Sequence, residues 1–301
     1  MFRRSAFALL AATTIVGGLS VVPAAARGEG SGGVDVTEIP VGADPASSAE
    51  VGKIFSCQTS FNSNAPGAFN TGDWFNDDGT WDLTKKPTVD GEVTWPDAEI
   101  TITTEGSSRI ISGNGLPTEQ TTGTFPVSSD DDAYDFDRNP NSISAQSVTI
   151  TLPKNPTVAD EPTCTDLGTI GIFTNGVQLF NALDAGGRDA AAYEIQDSCD
   201  GHPEMSGTYH YHSASACLLA DLDTGSGHSS LVGYAADGFG IYGTRGTNGV
   251  EVNNSDLDEC HGHTHKVKFN GKKQKIYHYH LTTEYPYTIG CYKGTPVTTN
   301  G

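Results

Sequence analysis

The sequence predicts a mostly β chain: antiparallel hairpins forming a β-sandwich or partly open barrel, with few short helices and a set of disulfide staples. Three observations carry this expectation. Apolar residues alternate with polar ones in short runs, Asx-Gly pairs stand between such runs, and the chain holds six cysteines behind an export-like leader.

The leader comes first. Arg3 and Arg4 precede an apolar stretch from Ala6 to Val22, and Ala24-Ala25-Ala26 supplies a small-residue cleavage pattern, so residues 1–26 are expected to be a cleaved signal peptide. Localisation is then periplasmic or extracellular. Residues 27–50 are rich in Gly, Ser, Pro and acids, with little apolar surface to offset the entropy of ordering, and are expected to form a flexible linker. A single β-rich domain is expected over 51–298.

Within it, Ile100 and Ile102 in "AEITITT", and Val148, Ile150 and Leu152 in "SVTITLP", have the period of half-buried strands. Asn175-Gly176, Asp237-Gly238 and Asn270-Gly271 fit two-residue hairpin turns, in which both central residues take positive φ. Helices are expected only at "RDAAAYEIQD", for two or three turns, and at "ACLLADLD". Cys57, Cys164, Cys199, Cys217, Cys260 and Cys291 suit three bridges in an oxidising compartment. Short loop closure favours Cys199 with Cys217 and Cys260 with Cys291, leaving Cys57 for Cys164.

Charge excludes some partners. Without its leader the chain carries 15 basic and 37 acidic residues, a net charge of −22, which disfavours nucleic acid and anionic membranes. A small molecule or a glycan remains as partner, and no segment after the leader is long and apolar enough to span a membrane.

All nine histidines fall between 202 and 280. "TYHYHSA" and "IYHYHLT" each set two of them one residue apart, so His210 and His212 share one strand face, as do His278 and His280, while the tyrosines take the other. A two-residue turn at Asn270-Gly271 pairs Phe269 with Lys272. That register sets His263 opposite His278, His261 opposite His280 and His265 opposite Ile276, all on one face. The pattern is also doubled: Cys199-x-x-His202 precedes the first YHYH and then Cys217, and Cys260-x-x-His263 precedes the second and then Cys291. His202, His210, His212, His263, His278 and His280 therefore point to a divalent transition metal, zinc or copper first, because imidazole suits these ions and bridged cysteines leave no thiolates.

These segments resemble a known family. "DSCDGHPEMSGTYHYHSASACL", "HSSLVGYAADGFGIYG" and "LDECHGHTHK" with "IYHYHLTTEYPYTIGCYKG" are similar to the YHYH-domain family of exported proteins, and the likeness extends over about residues 95–295. The resemblance implies that His202, His210, His212, His228 and Asp237 form one motif block, with His278 and His280 in a second, and it adds His228 to the candidate ligands. "NGLPTEQ" departs from the family pattern in having no histidine soon after its Pro, and "GFGIYG" in having Gly240 where Pro is usual.

Two functions follow as expectations: metal binding or metal-assisted hydrolysis or oxidation, with Glu204, Asp237 or His228 as the candidate catalytic base, or a non-enzymatic surface or adhesion module that binds calcium or a glycan and keeps its histidines structural. Asp237 also suits turn geometry alone. Asp135, Asp137 and Asn139 have calcium-loop spacing, but Pro140 and Gln146 replace the loop's Gly and Glu, so calcium is a weak expectation.

Overall fold

The computed structural model describes residues 33–62 and 71–299; the expected signal peptide lies outside them. Three strands form a small antiparallel sheet: β1 (Ile100–Glu105), β2 (Ser108–Gly113) and β3 (Val148–Pro153). Eight more form the main sheet: β4 (Thr169–Phe173), β5 (Gln178–Phe180), β6 (Gly201–Pro203), β7 (Tyr209–Tyr211), β8 (Leu231–Ala235), β9 (Gly240–Tyr242), β10 (Gly262–Phe269) and β11 (Lys272–His280). The main sheet is open, with β6 and β10 at its edges, and the described residues form no closed barrel.

The alternation works as expected where one face is covered. In β3, Val148, Ile150 and Leu152 are buried between exposed threonines, and they pack with Ile111 of β2 onto Ile172 of β4. This seats the small sheet on the main one. Arg109 of β2 adds its guanidinium, 3.9 Å from the Tyr234 ring and 5.1 Å from the Phe269 ring.

Strand order in the main sheet is β6-β7-β5-β4-β8-β9-β11-β10. Outward from the β4/β8 junction, both halves read alike: an antiparallel pair (β4–β5, β8–β9), a parallel neighbour (β7 on β5, β11 on β9), then an antiparallel edge strand (β6, β10). The doubled sequence pattern is thus a duplicated four-strand unit. The parallel pairs lie outside the sequence expectation of hairpins alone, because each hairpin buries its tyrosine face only by docking beside the preceding one.

Turn chemistry divides the three Asx-Gly pairs. Asn270 (φ 51°) and Gly271 (φ 73°) make the expected two-residue turn and set the β10–β11 register, Phe269 opposite Lys272 through His263 opposite His278. At the other two pairs only the glycine has positive φ, Gly176 at 95° and Gly238 at 88°. Backbone bonds from the Phe173 amide to the Val177 carbonyl and from the Ala235 amide to the Phe239 carbonyl close three-residue loops there. The side chains of Asn175 and Asp237 brace those loops by accepting from the amides two residues on.

Helix α1 (Ala190–Tyr193) is one turn, shorter than its alanines suggest. Asp189 caps its start, but the Ile195 amide bonds to Asp137 Oδ2 and Glu194 is extended, so the chain leaves the helix. Helix α2 (Ala216–Leu222) is capped by Ser215. No described helix is long and apolar enough to cross a membrane.

The disulfides join Cys57–Cys164, Cys199–Cys217 and Cys260–Cys291. Residues 33–50 are packed rather than free as a linker: Ile39 is buried opposite Trp81, and the Gly42 amide bonds to Asp189 Oδ2 at 2.8 Å. Composition undercounts such a segment, since Val34, Ile39 and Val41 find their pocket among residues from other parts of the chain. Residues 27–32 lie outside the described part.

Candidate metal centres

Each YHYH strand buries its tyrosines on one face. Tyr209, Tyr211, Tyr277 and Tyr279 belong to a single apolar cluster with Phe173, Leu179, Val232 and Ile241. Every histidine of the two motifs therefore stands on the opposite face. Cross-strand partners run from His202 to His210, Gln178, Ile172, Tyr234 and Gly240, and from Tyr242 to His280, so both histidine groups share that face. Five strand spacings separate β7 from β11, on the order of 24 Å. The two sets form separate sites.

A repeated turn positions each edge histidine. Asp197 accepts from the amides of Cys199 (2.9 Å) and Gly201 (3.2 Å) and from the Tyr209 hydroxyl (2.9 Å). Asp258 does the same with Cys260 (3.0 Å), Gly262 (3.2 Å) and Tyr277 (2.8 Å). In both turns the residue before the glycine is left-handed, Asp200 at φ 65° and His261 at φ 72°. His202 and His263 then emerge at equivalent points, opposite His210 and His278.

Site 1 comprises His202, His210 and His212, all buried; site 2 comprises His228, His263, His278 and His280, of which His228 and His263 are half-buried. One ligand nitrogen from each residue of a group lies within 4.8 Å of the others. The seven sequence candidates are brought together three and four. His261 is not among them: the left-handed turn reverses its side chain, and its Nε2 meets Thr282 Oγ1 at 2.9 Å. His265 is exposed at the edge, its ring centroid 4.1 Å from that of His263 and tilted 35° to it.

Ring orientation follows a common rule. His210 Nδ1 meets the Thr208 carbonyl (3.0 Å), His212 Nδ1 that of Asn181 (2.5 Å), His278 Nδ1 that of Ile276 (3.1 Å), His280 Nδ1 that of Gly243 (2.6 Å), and His228 Nδ1 that of Ser229 (2.9 Å). A carbonyl only accepts, so each Nδ1 carries the proton and each Nε2 presents a lone pair. Yet the Nε2 atoms of His210 and His212 are 3.0 Å apart, and those of His228 and His278 are 3.2 Å apart. Two lone pairs at that distance repel unless a cation lies between them. Among the described residues, His202 Nε2, His263 Nε2 and His280 Nε2 are buried without a hydrogen-bond partner.

Protons are poor candidates for that cation. Burial, reinforced by neighbouring imidazoles, holds His202, His210 and His280 well below the ordinary imidazole value. Burial likewise pushes His212 and His263 down to about 4 and His278 to about 3, and lowers His228. The rings are neutral near pH 7 and available as ligands.

The candidate bases fall elsewhere or into the ligand sets. Glu204 turns back into its own hairpin loop, accepting from the Ser206 amide at 2.8 Å and the Thr208 amide at 3.1 Å. Asp237 lies under the tyrosine face, bonded to the Tyr279 hydroxyl (2.5 Å) and the Gly294 amide (2.9 Å). His228 is part of site 2. In the calcium-like stretch, Asp137 is buried and spends its oxygens on the Asn139 and Ile195 amides.

Glu194 is the residue that sequence spacing misses. Its Oε2 is buried, lacks a hydrogen-bond partner among the described residues, and lies 3.5 Å from His202 Nε2 and 3.4 Å from His212 Nε2. Burial first, then the nearby Asp184 and Asp137 charges, raise its carboxyl well above the usual range. No local pattern marks it, because the fold of the α1 segment carries it to the histidines.

Together these features define a mostly β, disulfide-stapled domain with a duplicated histidine hairpin. Residues 149–251 match the family model described as YHYH protein, and that match supports membership of the YHYH family. The matched span is about a third of the chain and holds the first YHYH strand; the second, at 277–280, follows it and is tied to the first by the equivalence of the two halves. No curated protein and no solved structure matches the chain.

Proposed function

We propose that this is an exported metal-binding protein that holds one divalent transition ion, zinc or copper, in each of the two histidine sites. The observation that carries the reading is the pair of opposed Nε2 lone pairs, His210 with His212 and His228 with His278, each locked by a backbone carbonyl on the other ring nitrogen. Export is supported by the leader pattern of residues 1–26 and by three disulfides, which persist in oxidising compartments.

Binding rather than catalysis is the function supported best, since both expected carboxylate bases, Glu204 and Asp237, are occupied away from the sites. Metal-assisted hydrolysis or oxidation on a small molecule would fall to site 2, where half-buried His228 and His263 leave an approach from solvent. Elemental analysis of the purified mature protein tests the reading. Zinc or copper should approach two per chain, with one lost in His210→Ala and the other in His278→Ala; protein that takes up neither metal overturns it.

A further inference from the structure

The two halves of the sheet are equivalent in backbone, but their sites are not equivalent in ligands. Zinc–nitrogen and zinc–oxygen bonds of about 2.0–2.2 Å put the ligand atoms of a tetrahedral ion roughly 3.3–3.5 Å apart. Glu194 Oε2 meets that spacing against two different histidines, 3.5 Å to His202 Nε2 and 3.4 Å to His212 Nε2. His210 Nε2 lies 3.0 Å from His212 Nε2 and belongs to the mutually close histidine group, so Glu194 adjoins that group through His202 and His212.

We propose that Glu194 is the fourth protein ligand of site 1, making it a closed three-histidine, one-carboxylate centre, whereas site 2 is an all-imidazole centre that exchanges its ion more readily. The inference rests on the metal-binding reading above. Geometry separates a ligand from a base: a general base acting on a metal-bound water stands one hydrogen bond, about 2.6–3.2 Å, outside the ligand shell. Glu194 is instead at ligand spacing from two ligands at once, and its Oε2 has no other partner among the described residues. The carboxylate also neutralises half the charge of a divalent ion buried away from water. Among the described residues, site 2 includes no carboxylate. The acids that act electrostatically on its histidines are bonded elsewhere: Asp223, which acts on His228, to Ser229, the Ser230 amide and Arg245, and Asp258, which acts on His263, to the Cys260 and Gly262 amides and the Tyr277 hydroxyl. With His228 and His263 half-buried and exposed His265 beside them, ligand exchange there has a path from solvent.

Cobalt(II) is the probe. In full-length mature protein carrying both His278→Ala and His280→Ala, which leaves site 2 only two of its four imidazoles, the visible cobalt spectrum should not change between pH 6 and 9. A site with water in the fourth position should shift as that water ionises, an event a bound zinc places near pH 7. Adding Glu194→Gln or Glu194→Ala should weaken cobalt and zinc binding at site 1 by more than about 100-fold, beyond the 10–100-fold typical of residues that only orient ligands. In the wild type, a chelator should strip site 2 first. A pH-dependent spectrum, or unchanged affinity in both Glu194 variants, overturns this proposal while leaving metal binding intact. If wild-type protein binds neither metal, the parent reading fails instead. Should the Glu194 variants not fold, the pH series on the protein carrying His278→Ala and His280→Ala decides alone.

Discussion

Stripping metal from the mature protein should lower its melting temperature by an amount that the orphaned groups set. At site 1, His202 and Glu194 are left with buried, unpartnered atoms; at site 2, His263 and His280 are. An unsatisfied buried polar group costs about 1–3 kcal/mol, so each site should lose about 2–6 kcal/mol without its ion. For a domain of this size, where 1 kcal/mol moves the midpoint by about 2–4 °C, the two sites together amount to roughly 20 °C. Thermal unfolding followed by circular dichroism, with intact disulfides, measures the shift before and after dialysis against a chelator. Zinc or copper should restore it, and each tenfold rise in free metal above the dissociation constant should add about 1.4 kcal/mol per site. A midpoint that moves by less than about 2 °C and ignores metal concentration would refute the reasoning, because neutral imidazoles would then be satisfied without an ion.

Three further outcomes are expected. Tyr279→Phe removes the hydroxyl that donates to buried Asp237 and should cost about 1.5–3 kcal/mol in urea unfolding, with metal content unchanged because Tyr279 faces away from the sites; a loss of metal would break the two-face arrangement. His261 is pushed by burial from 6.5 down to about 3, so its neutral form contributes fully above pH 6.5 and that contribution is lost as pH falls towards 3. His261→Asn, which tolerates the φ of 72°, should flatten stability against pH between 6.5 and 4, by at most about 3.4 kcal/mol; an unchanged slope assigns the acid sensitivity elsewhere. Replacing Cys57 and Cys164 by alanine, which opens a 107-residue separation, should destabilise by about 4–5 kcal/mol, against about 3 for Cys199 and Cys217 at 18; the reverse order would show that loop entropy does not govern these bridges.

Much of the site was legible in the chain because its geometry is local. An H-x-H strand must place both imidazoles on one face, and a two-residue Asn270-Gly271 turn must set His263 against His278, as it does. His261 shows where that reading stops. Strict register put it opposite His280, and its backbone carbonyl still reaches that strand, accepting from the His280 amide. The left-handed φ nevertheless sends the ring to Thr282, and the sign is visible only by analogy with Asp200 in the first half. The flexible-linker expectation stopped in the same way, at Ile39, whose burial depends on Trp81 rather than on its own neighbours.

The sequence by itself determined the H-x-H strands, the turn at Asn270 and the two paired sets of imidazoles, since each follows from side-chain period or turn chemistry over a short stretch, whereas loop length only favoured the disulfide partners that the structure shows. Tertiary structure alone decided that the histidines divide into two centres five strands apart, that His228 joins the second, and that Glu194 reaches the first. Those outcomes depend on which hairpin docks beside which to bury four tyrosines in one core, and no local periodicity encodes that choice.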